Sequence, residues 1–274
     1  MTFSIVARSA DGESLGVAVA SKFLAVGAAV PAVLADVGAV ATQAHANLAY
    51  RPDGLALLQG GADAAAVVAR LTGDDADRDV RQVGVVGAAG DGATYTGGGC
   101  MDWAGGVAGD GYAIQGNILA GPQVVEAMRA AWLAGDPGQS LARRLLAALT
   151  AGDAAGGDRR GRQSAALLVA RRGGGYGGAS DVEVDLRADD DAAPVQVLER
   201  LLGLHELYFT RPDPATLLDL GGELAAEVTA RLAALGHHGE PDAALASWAG
   251  VENLEERLVP GRIDPVVLDW LRKA

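Results

Sequence analysis

Thr2-Phe3-Ser4-Ile5-Val6-Ala7-Arg8 is the stretch whose reading decides the fold. Its side chains alternate: Phe3, Ile5 and Ala7 face one way, Thr2, Ser4 and Val6 the other, which is the period of a β-strand. A core strand that starts at Thr2 puts the α-amino group of that residue in a fixed place. Leu15-Gly16-Val17-Ala18-Val19-Ala20-Ser21 follows, and Asp11-Gly12 between the two segments is a strong turn signal. A hairpin centred there sets Thr2 opposite about Ser21 and beside Lys22.

Working outward, residues 37–44 read as a third buried strand and residues 23–36, with Gly27 and Pro31, as irregular. Pro52 stands near the start of a helix, and Gly60-Gly61 divide that region into two helices. Residues 80–86 and 93–96 read as paired strands, 105–111 as a glycine-rich turn, and 112–119 as a strand ending at Gly121-Pro122. Pro122 suits the first position of a helix to about Leu133, and a second helix covers 140–151. Strands follow at 164–170 and 182–186, then a helix over 194–209. Beyond Arg211-Pro212-Asp213-Pro214 the chain reads as helical over 215–235, 241–249 and 264–273. Clustered strand pairs with intervening helix pairs define an α+β protein with helices layered on packed antiparallel sheets. The expected division is residues 1–211 as the main domain and 212–274 as a small all-α domain.

Composition narrows the function classes. Half of the 274 residues are apolar and only 4% are aromatic, so a large core must be built from Ala, Val and Leu. The net charge of −13 argues against nucleic acid and anionic membrane surfaces as partners. Cys100 is the single cysteine, so no intrachain disulfide is available. No signal peptide and no membrane span is read from the chain, and a cytoplasmic protein is expected. No Walker A pattern, dinucleotide fingerprint or Gly-x-Ser-x-Gly motif is present. His45, His205, His237 and His238 lack metal-ligand spacing, so neither a metal nor a cofactor is expected.

The candidate chemistry centres on Thr2. With Met1 removed, Thr2 carries a hydroxyl nucleophile and a free amine base on one residue. Lys22 beside that amine disfavours its protonated form by like-charge repulsion. Asn117 and Gly116, at the end of a strand, suit the stabilisation of an oxyanion. Ser21, Gln43, His45 and Asn47 complete the candidate substrate contacts, His45 also as an acid or base. Arg159, Arg160 and Arg162 are alternative carboxylate ligands, with a solvated loop as the rival reading.

Several separate motifs resemble one family. They are Thr2–Ala7 (TFSIVA), Leu15–Gly27 (LGVAVASKFLAVG), Gly38–Ala44 (GAVATQA), Arg81–Val86 (RQVGVV), Gly116–Val125 (GNILAGPQVV), Gly156–Ser164 (GGDRRGRQS) and His205–Phe209 (HELYF). Together they resemble the DUF1028 family, which is similar to the N-terminal nucleophile (Ntn) hydrolases. The resemblance implies a four-layer αββα sandwich, an N-terminal Thr nucleophile and a homodimer. Ala244–Leu271 is similar to a peptidoglycan-binding-like domain attached to that family, which implies a three-helix module with a docking or dimer-stabilising role. Three functional readings stand at this point. The first is an amidohydrolase cleaving a C–N bond of a small amide or ureide through a Thr2 acyl-enzyme. The second is a non-catalytic ligand-binding or assembly scaffold. The third is a different site using His45 or the Arg159–Arg162 loop.

Overall fold

The computed structural model describes residues 2–274, and strand β1 (Thr2–Arg8) is flanked on both edges in a six-stranded sheet. The strand order is β10-β9-β2-β1-β8-β7. Here β2 is Ser14–Ser21, β7 Gly105–Gly109, β8 Tyr112–Asn117, β9 Ser164–Arg171 and β10 Val182–Ala188. Every pairing among them is antiparallel. Phe3 pairs with Ala20 and Arg8 with Leu15, so the β1–β2 hairpin has the register read from Asp11-Gly12. Gly12 supplies the left-handed backbone of that turn (φ 78°). The carboxylate of Asp11 accepts from Ser9 Oγ and from the Glu13 N–H, which holds it below the usual carboxylate range.

A second antiparallel sheet, in the order β3-β4-β5-β6, packs on the first. Its strands are β3 (Pro31–Leu34), β4 (Gly38–Ala44), β5 (Arg81–Gly87) and β6 (Gly92–Thr96). Helices α2 (Tyr50–Gln59) and α3 (Ala64–Gly73) cover its outer face. Helices α4 (Gln123–Ala134) and α5 (Leu141–Ala154) cover the outer face of the six-stranded sheet. The two faces of β1 therefore serve different layers. Phe3, Ile5 and Ala7 pack with Met128, Leu145 and Leu149 of the helices, while Val6 packs with Val17, Val19, Ala39 and Ala41 between the sheets. Burying Phe3 and Ile5 fully stabilises the fold by about 1.5–3 kcal/mol each.

Two segments differ from the sequence reading. Residues 23–36 hold a single helical turn, α1 (Val26–Ala29), and then β3. Pro31 lacks an N–H and opens an edge strand, where a missing donor costs no ladder bond. The glycine run at 105–109 is strand β7 and not a turn. A Cβ on Gly106 would meet Ile114 O at 2.8 Å and Thr94 Oγ1 at 2.9 Å, so glycine is there because β6 and β8 crowd it.

The chain divides into two compact units, Met1–Leu202 and Gly203–Ala274, and the division falls within helix α6 (Pro194–Phe209). The second unit contains α7 (Gly222–Ala234), α8 (Pro241–Glu252) and α9 (Pro265–Lys273) around Leu232, Trp248, Leu268 and Leu271. It is helical but not purely so. Strands β11 (Leu218–Asp219) and β12 (Arg262–Ile263) form a short ladder. The helix expected over 215–235 starts only at Gly222, where φ is 53° and the preceding Gly221 is extended. Among the described residues no helix is long and apolar enough to cross a membrane.

Candidate active site

The start of β1 meets the ends of β2 and β8. Thr2 pairs with Asn117 of β8 on one side, and on the other its Oγ1 lies 3.1 Å from Ser21 Oγ at the end of β2. All three residues are buried: Thr2 is 6% exposed, Ser21 2% and Asn117 1%.

Beneath them lies a polar network between the two sheets. Ser4 Oγ donates to Gln43 Oε1 (2.7 Å). Gln43 Nε2 donates to Gln82 Oε1 (2.8 Å) and to the Thr2 carbonyl (3.3 Å). Asn117 Nδ2 donates to the same Gln82 oxygen (2.8 Å). Gln82 Nε2 in turn donates to Gly116 O (2.7 Å) and Thr96 Oγ1 (2.9 Å). Gln115 Nε2 donates to Ser4 Oγ (2.7 Å), and its Oε1 is buried without a hydrogen-bond partner. Amide side chains enclosed this way are rigid, because every rotation would strand a donor or acceptor away from water. The network thereby fixes Asn117 across from Thr2. Of the two hydrogens on Asn117 Nδ2, one goes to Gln82, and no second acceptor takes the other among the described residues.

Beside Ser21 is a narrow crevice, about 10 Å³, lined by Phe3, Ser21, Asp153, Asp158, Arg162 and Ser164 among others. Asp158 Oδ2 accepts from the Lys22 N–H (2.7 Å) and its Oδ1 from the Arg160 N–H (2.8 Å), so this buried carboxylate clamps the loop 158–160 to the end of β2. Asp153 Oδ1 accepts from Arg162 Nε (2.7 Å), and that pairing keeps the Arg162 guanidinium firmly protonated. Ser164 Oγ donates to Phe23 O and accepts from Val26 N–H.

The candidates from sequence separate into two groups. Thr2, Ser21, Asn117, Gly116 and Gln43 converge. Within that group Gln43 and Gly116 build the scaffold: the Gln43 amide is spent in the network, and the Gly116 carbonyl serves Gln82. Lys22 follows Ser21, but its Nζ donates to the Arg162 carbonyl (3.2 Å), so its charge is held at the 158–162 loop. His45 and Asn47 do not join the group. His45 is exposed, its N–H donates to Val80 O and its carbonyl accepts from Arg81. Asn47 Nδ2 donates to Asp75 Oδ2 (3.2 Å) and its Oδ1 accepts from the Ala49 N–H. The physical reason is Ala44, whose left-handed backbone (φ 65°) turns the chain out of the sheet before either residue.

Asp75 organises that second region. Its Oδ2 also accepts from Tyr50 OH (2.9 Å) and Arg81 Nε (2.9 Å). Arg81 holds the Asp75 carboxyl well below the usual carboxylate range, and burial with the adjacent carboxylate pushes the Tyr50 phenol up. A larger cavity, about 750 Å³, is lined there by Tyr50, Asp53, Leu57, Arg70, Asp74 and Asp75 among others. Among the described residues no group of three or more His, Cys, Asp or Glu side chains is arranged to hold a metal ion.

Ser4, Gln82, Asp153 and Asp158 escaped the sequence reading as site residues. The available signal was polarity out of place. Gln82 interrupts the apolar strand Arg81–Gly87, and a polar side chain in a buried strand needs partners.

Comparison with known proteins places these motifs. Residues 2–198 match the model of a family described as "Family of unknown function (DUF1028)", and residues 208–271 match one described as "Putative peptidoglycan binding domain". The chain belongs to the DUF1028 family. It is similar to protein SPO2555 from Silicibacter pomeroyi, whose crystal structure is described as that of a DUF1028 protein. Identity is 29% and the TM-score 0.67, over 82% of this chain and 92% of that one. No curated protein matches.

Proposed function

We propose that the Met1–Leu202 unit is an Ntn-type amidohydrolase whose nucleophile is Thr2, acting once the peptide bond before Thr2 has been cut. The reading carries with it the αββα sandwich of such hydrolases, to which two packed antiparallel sheets with helices on each outer face correspond. One observation carries it: Thr2 pairs along the strand with Asn117, whose amide is locked by Gln82, while its Oγ1 lies 3.1 Å from Ser21 Oγ.

In this mechanism the Thr2 α-amine accepts the Oγ1 proton as Oγ1 attacks the carbonyl of a small amide or ureide. The second N–H of Asn117 donates to the oxyanion. Collapse of the intermediate breaks the C–N bond, and the ammonium of Thr2 returns its proton to the leaving nitrogen. Water activated by the same amine then hydrolyses the Thr2 ester. Ser21 orients the hydroxyl. No metal or organic cofactor takes part in these steps. A cytoplasmic homodimer acting on a small molecule is the assembly that accompanies this reading, and light scattering checks the dimer.

The deciding experiment compares the protein starting at Thr2 with a Thr2→Ala variant and with a form carrying one extra N-terminal residue. The reading expects a β-lactone or activated amide to label only the first, at Thr2, by intact mass. Equal labelling of the form with a blocked amine sinks it and leaves the scaffold reading.

A further inference from the structure

The loop beside Ser21 gathers basic side chains in an acidic protein. The protein has a net charge of −13, yet Lys22, Arg159, Arg160 and Arg162 gather here against two buried carboxylates, Asp153 and Asp158. Both carboxylates are occupied within the loop. Asp190, nearby, accepts from Gln163 Nε2 (3.1 Å). Asp189 pairs with Arg187, and Asp191 caps the Ala193 N–H. Cations and carboxylates balance here, so what distinguishes the loop is which guanidinium keeps N–H groups to spare.

Within the cluster the arginines have different duties. Arg160 reaches back to Lys22 O (2.9 Å) and Asp158, so it ties the loop down. Arg162 is the one built to receive. Asp153, buried at 5% exposure, holds only its Nε, and the guanidinium is half-exposed where it lines the crevice with Ser21. Neither terminal nitrogen has a partner among the described residues. A guanidinium anchored by Nε presents its remaining N–H groups as a fork matched to a planar carboxylate.

We infer that Arg162, oriented by Asp153, is an anion-binding residue that selects substrates carrying a carboxylate near the scissile amide or ureide, the class of N-acyl and N-carbamoyl amino acids. This rests on the reading of Thr2 as the nucleophile, because Ser21 lies between the two. Lys22, whose Nζ is held by the Arg162 carbonyl, does not fix that geometry.

The test uses the full chain beginning at Thr2, with Thr2→Ala to prevent turnover. Calorimetric titration compares N-acetylglycine and N-carbamoylglycine with their C-terminal amides and with inorganic phosphate. The acids are expected to bind at least about tenfold more tightly than the amides. Arg162→Gln and Arg162→Lys are each expected to remove that difference, and Arg159→Gln to leave most of it. Arg162→Lys keeps a cation beside Asp153, so it stands if Arg162→Gln fails to fold. Four results overturn the inference: acids and amides binding alike, no binding of the acids, tighter binding of phosphate than of either acid, or a preference that survives both Arg162 variants. The two readings separate in the protein that retains Thr2. Carboxylate preference without hydrolysis overturns the catalytic reading and keeps the anion site; hydrolysis of acids and amides with equal kcat/KM does the reverse.

Discussion

Thr2 Oγ1 lies 3.1 Å from Ser21 Oγ across the β1–β2 ladder. Both residues stand one position beyond the open end of a hairpin whose register is fixed from Phe3–Ala20 to Arg8–Leu15. The contact is thus a consequence of the sheet and not of a flexible loop. If Ser21 orients the nucleophile, Ser21→Ala lowers kcat by about ten- to a hundredfold. KM stays close to its original value. Stability falls by only about 1 kcal/mol, the net worth of one hydrogen bond. A Ser21→Ala protein with unchanged kcat shows that the contact is structural alone.

The Gln82 amide is the hinge of the inter-sheet network. Gln82→Leu takes the Gln82 amide away from Asn117 Nδ2 and the Gly116 carbonyl in a dry interior and leaves Gln43 Nε2 only its longer bonds to the Thr2 and Gln115 carbonyls. The expected cost is about 3–5 kcal/mol, read as a lower urea midpoint. Gln115→Leu is the contrast. It deletes a buried acceptor that already lacks a partner, and Ser4 Oγ keeps its bond to Gln43. Its cost is about 1 kcal/mol. Equal costs at the two positions contradict a network centred on Gln82.

How much of this was legible in the sequence follows from what each element depends on. The β1–β2 register depends on a local turn, and Asp11-Gly12 announces it. Helices α4 and α5 depend on Pro122 before the first and on Ser140 as the cap of the second, both local signals. Strand β7 depends on neighbours far along the chain, so its glycines look like a turn until β6 and β8 are beside them. The candidate site divides the same way. Thr2, Ser21 and Asn117 sit at ends of strands that could be placed one by one. Gln82 and Asp158 act through partners 34 and 136 residues away, and no local pattern marks them. His45 and Asn47 follow a good strand, but a single left-handed residue, Ala44, sends them elsewhere.

Two glycine substitutions test the close packing directly. A Cβ on Gly92 would meet the Tyr112 carbonyl oxygen at 2.1 Å, a backbone group with nowhere to move. Gly92→Ala is expected to destabilise the first unit by about 2–3 kcal/mol, the usual cost of overpacking. A Cβ on Gly250, in α8, would meet nothing within 4 Å. Gly250→Ala is expected to stabilise the second unit by about 0.5–1 kcal/mol, because alanine loses less backbone freedom in a helix. Thermal melts read both signs.

Acid sensitivity is expected to begin around Asp75. The sign follows from the direction of its shift. The Asp75 carboxyl is held below its ordinary value of 3.8 by Arg81, the Asp77 N–H, Tyr50 and Asn47. A group with a depressed native pKa contributes stability that is fully present above its unfolded value and is lost as pH falls toward the native one. The contribution is therefore constant from neutrality to about pH 5 and declines below about pH 4. Asp75→Asn removes that part of the pH dependence and weakens the anchoring of residues 45–50, at a cost of about 2 kcal/mol at pH 7. Amide exchange at Ala49–Asp53 rises in the variant. An unchanged acid limb in the urea midpoint against pH excludes Asp75 as its source.

Arg257 and Asp264 make the corresponding buried pair in the second unit. Arg257 Nη1 donates to Asp264 Oδ2 (2.6 Å), and Nη2 donates to the Glu206 carbonyl (2.6 Å). The two side chains are 8% and 4% exposed. Asp264 also caps α9 through the Val266 N–H, so one carboxylate links the helix start to the body of the unit. Arg257→Met leaves Asp264 charged and dry, which costs about 3–5 kcal/mol. The double variant Arg257→Met, Asp264→Asn removes the stranded charge and recovers part of that loss, while α9 keeps an Asn cap. Unfolding of residues 203–274 followed by Trp248 and Trp270 fluorescence measures both. A double variant no more stable than Arg257→Met shows that the loss comes from the Glu206 carbonyl and the Leu207 carbonyl, which accepts from Arg257 Nε, and not from the buried charge.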